Sequence, residues 1–244
     1  MDRRLPPLPA EIPAPSESPF EPPCDFAALA AARRSIRAFL DRPVDDATLE
    51  KLLATARRAP SGANLQPGQF IRVDGDIRDR LTQALTAAWR EGRQEPEDYG
   101  YFPQPMPMSL RRRQVAAAQA LYRSVGVTRE DRAGRDRQFE RNFRFFDAPV
   151  ALVVTIDREF GSGGYMDLGM TLYGLMLAAQ SEGLASCGIG ALASYPKLIR
   201  QTLGLDSRSS IVCGMAIGYA DPQAPVNGTV TERCALNEYF TVMR

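Results

Sequence analysis

Residues 165–182 read as a helix that is apolar almost all the way round, with Gly169 and Gly174 permitting close approach and Gly183 closing it. A helix with no wet face has to be buried, either at the centre of the fold or in an interface between subunits. Two strand-type runs flank it in the sequence, APVALVVTI at 148–156 and residues 209–219. Both are too continuously apolar to leave one face in water. With the core accounted for by these segments, the polar chemistry has to come from elsewhere.

It is concentrated between residues 33 and 67. RRSIR at 33–37 and APSGANLQP at 59–67 are separated by an expected helix. Asp45 serves as its N-cap, Leu49, Leu52, Leu53 and Ala56 recur at helical spacing, and Arg57 and Arg58 suit the negative end of the dipole. Pro60 stops the run. A phosphate monoester is matched by two cations and a hydroxyl, because a guanidinium donates to two oxygens at once. Such charge-assisted bonds are worth about 1.5–3 kcal/mol each. RRSIR carries those groups within five residues. PSGAN offers backbone N–H groups, a hydroxyl, and an amide able to donate and accept at the edge of a pyrimidine-like ring. Each segment also has a plainer reading, a solvated helix end for RRSIR and an ordinary turn for PSGAN.

Composition removes several classes of function. The 244 residues, 44% hydrophobic, can bury a sizeable core as one large domain or two small ones. A net charge of +1 gives no general electrostatic case for binding nucleic acid or membrane, so any anion recognition must be local. With no histidine there is no Ser-His-Asp or Cys-His nucleophile pair and no histidine metal ligand. Cys24, Cys187, Cys213 and Cys234 lie far apart, a spacing that favours neither a metal site nor a redox pair and reads as buried free thiols. Nothing resembles a signal peptide or a membrane span, and a cytoplasmic protein is expected.

Along the rest of the chain, residues 1–23 hold eight prolines and read as an extended arm or a disordered tail. Asp25 should cap a helix running to about Arg34, with SIRAF extended after it. A strand at 69–73 precedes a helix expected to be capped by Asp76, with Ile77, Leu81, Leu85 and Ala88 on its apolar face. Residues 92–110, with four prolines, Tyr99, Tyr101 and Phe102, form a lid, a pocket wall or a surface-packed loop. Helices are expected at 111–122 and 128–146, the second capped by Thr128 and carrying Phe139, Phe143 and Phe146 on one face. Gly161–Gly164 reads as a flexible connector. Ser194 is placed as the cap of a helix to Leu203. The tail from Asp221 has too little core to stand alone and should wrap over something else, such as a partner subunit.

Taken in order and spacing, RRSIRAF, LLATARRAPSGANLQP, DLGMTLYGLMLAAQSEGLASCGIG and AIGYADPQAPVNGTVTERCALNEYF resemble the FMN-dependent nitroreductase family over nearly the whole chain after residue 25. YGYFP at Tyr99 and RNFRFFDAPV at Arg141 look most like its subgroup of nitrobenzoate, nitrobenzene and dinitroaniline reductases. The resemblance implies an α+β three-layer sandwich, a mixed and mostly antiparallel sheet flanked by helices, in an intertwined homodimer. Residues 1–24 would be an arm and 25–244 a single domain, with 92–147 an insertion over the active site and 221–244 a C-terminal extension. It further implies FMN as cofactor, NADH or NADPH as reductant and a nitroaromatic substrate, with no metal, nucleic acid or membrane partner.

By the same resemblance, Arg33, Arg34, Ser35 and Arg233 hold the phosphate and Arg37 lies near the pyrimidine edge. Pro60, Ser61, Gly62 and Asn64 reach a flavin from the other subunit, and Ile189, Gly190 and Ala191 face its reactive edge. Tyr99, Phe102, Gly68, Phe139 and Phe143 are expected to line the substrate space. No catalytic acid or base is named, since the flavin carries the hydride. Two departures stand out: Gly68 where relatives carry tryptophan, and Pro107–Leu110 where the subgroup tends to Glu-Pro-Tyr. Enone reduction, reductive dehalogenation and non-enzymatic flavin binding remain alternatives.

Overall fold

The computed structural model describes residues 25–244; the proline-rich arm expected at 1–24 lies outside the described residues. Asp25 caps the first helix, α1 (Phe26–Ala32), by accepting from the Ala27 and Ala28 N–H groups. The helix is shorter than expected. Arg33 already has extended backbone (φ −64°, ψ 126°), which swings the following residues out of the helical path. In α2 (Asp46–Ala56), Asp45 caps through the Thr48 N–H at 2.7 Å and the Thr48 hydroxyl at 2.9 Å, and Leu49, Leu52 and Ala56 form the buried face.

Four strands follow along the chain, β1 (Gln69–Arg72), β2 (Val150–Asp157), β3 (Ala185–Ile189) and β4 (Ser209–Gly218). They make one open sheet in the order β1-β2-β4-β3, and every neighbouring pair is antiparallel. Among the described residues the parallel component of the expected mixed sheet is a single bridge, Ser35 to Ser186, beside the edge strand β3. The β3 strand was not anticipated, because CGIGA carries too much glycine for a strand signal.

Side chains alternate across the two central strands as the pleat demands. Ala151, Val153 and Ala216 enter one cluster, with Leu81 and Leu85 of α3 (Gly75–Arg90) and Ile199 of α7 (Pro196–Leu203). Val150, Leu152, Met215 and Ile217 enter the other, with Leu49 and Leu52 of α2 and Leu175 and Ala179 of α6 (Ser162–Ser181). Helices therefore cover both faces, giving three layers. The Gly161–Gly164 segment is no connector: Gly161 is the N-cap of α6 and the next three residues form its first turn. Nor does α3 use Asp76 as its cap. It starts two residues earlier, with Asp74 at the N-cap position, and places Asp76 in the first turn.

The expected helix at 128–146 is also corrected. Helix α4 (Met108–Ser124) and α5 (Arg132–Glu140) are regular, α5 being capped by Asp131 through the Gly134 N–H at 2.7 Å rather than by Thr128. Beyond Glu140 the chain tightens and then inverts, with Phe145, Phe146 and Asp147 at φ 52°, 53° and 60°. Left-handed backbone costs these residues on the order of 1–3 kcal/mol each. The turn places Phe143, Phe145 and Phe146 all at 1% exposure or less, whereas a helix would splay 145 and 146 by ~100°. Burying a phenyl ring gains about 1.5–3 kcal/mol, comparable to the strain at each of the two phenylalanines the turn buries.

Candidate functional site

Arg33, Arg34, Ser35, Arg37, Thr231 and Arg233 line one cleft of about 360 Å³. Its first lip is the extended segment after α1. The Ile36 N–H donates to the Ser186 carbonyl at 3.0 Å, fastening the segment alongside β3, and Ile36 itself is buried. Its second lip is the chain beyond β4, held by the buried side chain of Asn227. The Asn227 Oδ1 accepts from the Arg37 and Ala38 N–H groups at 2.9 and 3.2 Å, while Nδ2 donates to the Ala38 and Asp221 carbonyls at 2.8 and 2.9 Å. All four capacities of one amide are used, and Arg233 is thereby brought opposite Arg33. Asn227 was missed in the sequence, where it reads as one more polar residue in a tail.

Among the described residues none of these four guanidiniums is paired with a carboxylate. Arg37 donates to the Ser35 carbonyl at 3.3 Å, and Arg233 to the Thr231 carbonyl and hydroxyl at 3.1 and 3.0 Å. Below them lies the Cys187 thiol, whose ionisation burial pushes up while nearby Arg37, the Ser35 hydroxyl and Arg33 pull it down. Four cations and hydroxyls without a counter-ion fit a phosphate monoester, and a strong anion is needed to offset their mutual repulsion.

From Ser186 the edge strand β3 leads to Gly190 and Ala191, in the tight turn that follows Ile189. The Tyr101 ring lies against Gly190. That ring is presented by the loop between α3 and α4, which two nearly buried carboxylates pin down. Glu95 accepts from the Lys197 and Leu198 N–H groups at 2.9 and 3.2 Å and so caps α7, the role expected of Ser194. Asp98 accepts from the Ile211 N–H at 2.9 Å and is ion-paired with Arg200 and, at 3.2 Å, Arg158. Tyr99 completes the attachment, its hydroxyl donating to the Val212 carbonyl at 2.7 Å and its ring lying 4.9 Å from that of Tyr165. Burial drives the Tyr99 phenol far above its ordinary range. Phe102 is exposed, its ring 4.7 Å from that of Tyr101.

Pro60, Ser61, Gly62 and Asn64 do not join the arginine cleft of their own chain. They form a tight turn on α6, where the Gly62 N–H donates to the Asp167 carboxylate at 3.0 Å and Ser61 Oγ accepts from the Gln66 N–H at 3.0 Å. Ala63, Asn64 and Gln66 all have left-handed backbone, with φ of 49°, 57° and 49°. Gly68, at φ +98°, lines a separate cavity of about 230 Å³ with Leu65, Thr155 and Phe160. The space that a side chain at position 68 would enter is filled by Leu168.

Two residues expected at the substrate space lie elsewhere. Phe143 is buried and packs with Trp89 (5.8 Å) and Tyr195 (5.4 Å), and Phe139 stacks on Trp89 at 4.6 Å. A run of phenylalanines reads equally as pocket lining or as core; here Phe143 belongs to the core, while Phe139 lies at its edge and stays 37% exposed. Cys187 and Cys213 are buried as expected, but Cys234 is exposed. Among the described residues no helix is long and apolar enough to cross a membrane, and no cluster of three or more acids and cysteines is arranged to hold a metal.

The sequence profile of the nitroreductase family matches residues 30–219, a span running from the arginine segment through β4. The chain belongs to the nitroreductase family. It is 36% identical over 203 residues to a 4-nitrobenzoate reductase of Pseudomonas putida, covering 83% of this chain and 88% of that protein. Chloronitrobenzene nitroreductase of Comamonas testosteroni is 36% identical over 211 residues, 86% of this chain and 92% of its own length. Among solved structures, the FMN and NADPH-dependent nitroreductase NfnB from Sphigopyxis sp. strain HMH superposes with a TM-score of 0.87 at 38% identity, covering 91% of this chain and all of that one. The nitroreductase three-layer fold of this family is the one described above.

Proposed function

We propose that this chain is an FMN-dependent NAD(P)H nitroreductase that reduces aromatic nitro groups to hydroxylamines, working in the cytoplasm as a homodimer. The observation that carries the reading is the meeting of Arg33, Arg34, Ser35, Arg37 and Arg233 in one cleft with no carboxylate partner among the described residues. Membership of the nitroreductase family and the likeness to an FMN and NADPH-dependent nitroreductase support reading that anion as a flavin phosphate. Strand β3 carries the backbone roughly 13 Å from Ser186 to Gly190, at about 3.3 Å per residue. A phosphate gripped at one end therefore leaves a planar ring system beside Gly190 at the other.

When bound, FMN supplies a carrier that takes hydride from the nicotinamide and delivers it to the nitro compound in a separate half-reaction. Conversion of a nitro group to a hydroxylamine and water consumes two hydrides and two protons. The protein's share is placement and electrostatics. Arg37, held through its backbone by Asn227, would set positive charge at the pyrimidine edge of a bound flavin and favour negative charge there. The Gly190 N–H is free of a side chain that would hold a ring away. On the 92–147 insertion the Tyr101 ring lies against Gly190, with Tyr99 and Phe102 flanking that ring. With no histidine in the chain, the protons come from solvent.

A second copy of the chain is supported by apolar surface left uncovered in one copy. Met166, Met170 and Tyr173 form an exposed stripe along α6, at i, i+4 and i+7, and Leu236, Tyr239, Phe240, Val242 and Met243 are exposed in the tail. In that assembly the 60–64 turn of one copy reaches the flavin of the other. The deciding experiment is the visible spectrum of the purified protein under anaerobic conditions. The expected result is a flavin absorbance bleached by NAD(P)H and restored by a nitroarene. A preparation that stays colourless after addition of FMN would sink the proposal.

A further inference from the structure

The mechanism leaves one buried carboxylate without a task. Asp167 sits one and a half turns into α6, on a helix otherwise dominated by apolar side chains, and is only 8% exposed. Among the described residues it pairs with no lysine or arginine. Its side-chain partner is the Gly62 N–H, 3.0 Å away and 105 residues earlier in the chain. Helix α6 is rigid and packed on the sheet, so the carboxylate is a fixed post. The turn it holds is strained, with Ala63, Asn64 and Gln66 left-handed within four positions and no glycine at any of the three. Backbone of that kind persists only where its surroundings over-determine it. Inside the turn, the Ser61 hydroxyl and the Gln66 N–H close the far side, and Asp167 is the side-chain anchor from outside.

We propose that Asp167 is a positioning residue: by accepting from the Gly62 N–H it fixes the left-handed turn that aims Ser61 and Asn64 at the flavin ring. This rests on the assignment of residues 60–64 to the ring and of the arginine cleft to the phosphate. The hydrogen bond places the turn relative to α6, and α6 carries the exposed stripe against which the second copy docks. One carboxylate thus relates the turn to the dimer surface, so that the turn meets the other copy's ring at a set height. A need for negative charge is not part of the role; what is required is an acceptor at that point.

The test compares the affinity of the apoprotein for FMN and for riboflavin, which has the ring but no phosphate, by quenching of flavin fluorescence. Asp167→Ala is expected to weaken both by the same factor, about tenfold, as for a lost hydrogen bond to a charged acceptor. Asp167→Asn, whose amide oxygen can still accept, is expected to restore both to within about threefold. Arg33→Ala should instead shrink the ratio between the two ligands. Asp167→Leu, which keeps nearly the shape of the aspartate but offers no acceptor to the Gly62 N–H, stands in if Asp167→Ala does not fold and is expected to weaken both flavins alike. Affinities for both flavins within threefold of wild type in Asp167→Ala, or no rescue by Asp167→Asn, overturn the proposal. Wild-type protein that binds neither flavin overturns the flavin assignment itself.

Discussion

The Tyr101 ring covers Gly190 so closely that a Cβ at position 190 would stand 2.8 Å from its ring carbons and 2.9 Å from its hydroxyl oxygen. Real Cβ atoms do not tolerate such contacts, so Gly190→Ala must push the tyrosine aside. Because the contacting atoms are the outer end of a half-exposed side chain that can swing outward, the substitution is expected to cost about 1 kcal/mol of stability or less, the low end of overpacking. In a Tyr101→Ala background the same change should cost less than half as much. Denaturant unfolding of the four proteins checks this, and additive losses would mean that the two residues do not compete for the space.

At the phosphate end, Arg33→Ala is expected to weaken FMN binding roughly tenfold to a hundredfold through loss of a charge-assisted pair. Arg132→Ala, whose exposed side chain pairs among the described residues with Asp136 alone, at 3.7 Å, should leave binding unchanged. Equal effects in a fluorescence titration would show that the arginine cleft is not where the phosphate sits.

Gly68→Ala meets two obstacles, the backbone at φ +98° and Leu168 Cδ1 at 2.5 Å from the new Cβ. A drop in stability of about 1–3 kcal/mol is expected. Leu168→Ala itself opens a cavity at a buried site and costs about 2–5 kcal/mol, so the comparison is a double-mutant cycle. In that background the added cost of Gly68→Ala should shrink but not vanish, since the backbone strain remains. No added cost of Gly68→Ala in the Leu168→Ala background, read by thermal unfolding, would assign the whole penalty to the contact.

Burial pushes the Cys213 thiol up to about 12, from an ordinary value near 9. A raised folded value means that the unfolded chain loses this proton first. The contribution of Cys213 to stability is therefore intact below pH 9 and is lost as pH rises from 9 towards 12. The decline in unfolding free energy across that window should be shallower in Cys213→Ala. Exposed Cys234 should meanwhile react with a thiol reagent at pH 8 far faster than Cys187 or Cys213.

If α6 docks on a second copy, Met166→Glu combined with Met170→Glu places two charges in the contact and should yield a monomer with weakened FMN retention. Sedimentation with flavin absorbance detection reads both at once. A dimer that survives the pair would move the interface away from this stripe.

What could be read in the sequence was governed by how local the signal is. Asp45 and Leu49–Ala56 announced α2 because cap and apolar face lie within four turns, and RRSIR announced anion chemistry because its cations lie within five residues. Glu95, Asp98, Asn227 and Asp167 could not be found that way. Each makes its hydrogen bond with backbone about a hundred or more residues away, and no spacing rule reaches that far. The phenylalanines at 139–146 failed for a different reason. Helical periodicity placed 139, 143 and 146 on one face, but Phe145 also had to be buried, and a left-handed turn buries 143, 145 and 146 together while Phe139 stays partly exposed.

The arginine cleft has lips about 190 residues apart in the chain, joined through one asparagine. Neither lip has a use for the other's charge until the sheet between them is complete, because like charges brought together without an anion repel. An anion bound there is therefore linked to the folding of the entire domain and not to a local loop. Ligand at a hundred times its dissociation constant would add about 2.7 kcal/mol to global stability. Cofactor supply would then set how much of this protein persists in a cell, as well as how much of it is active.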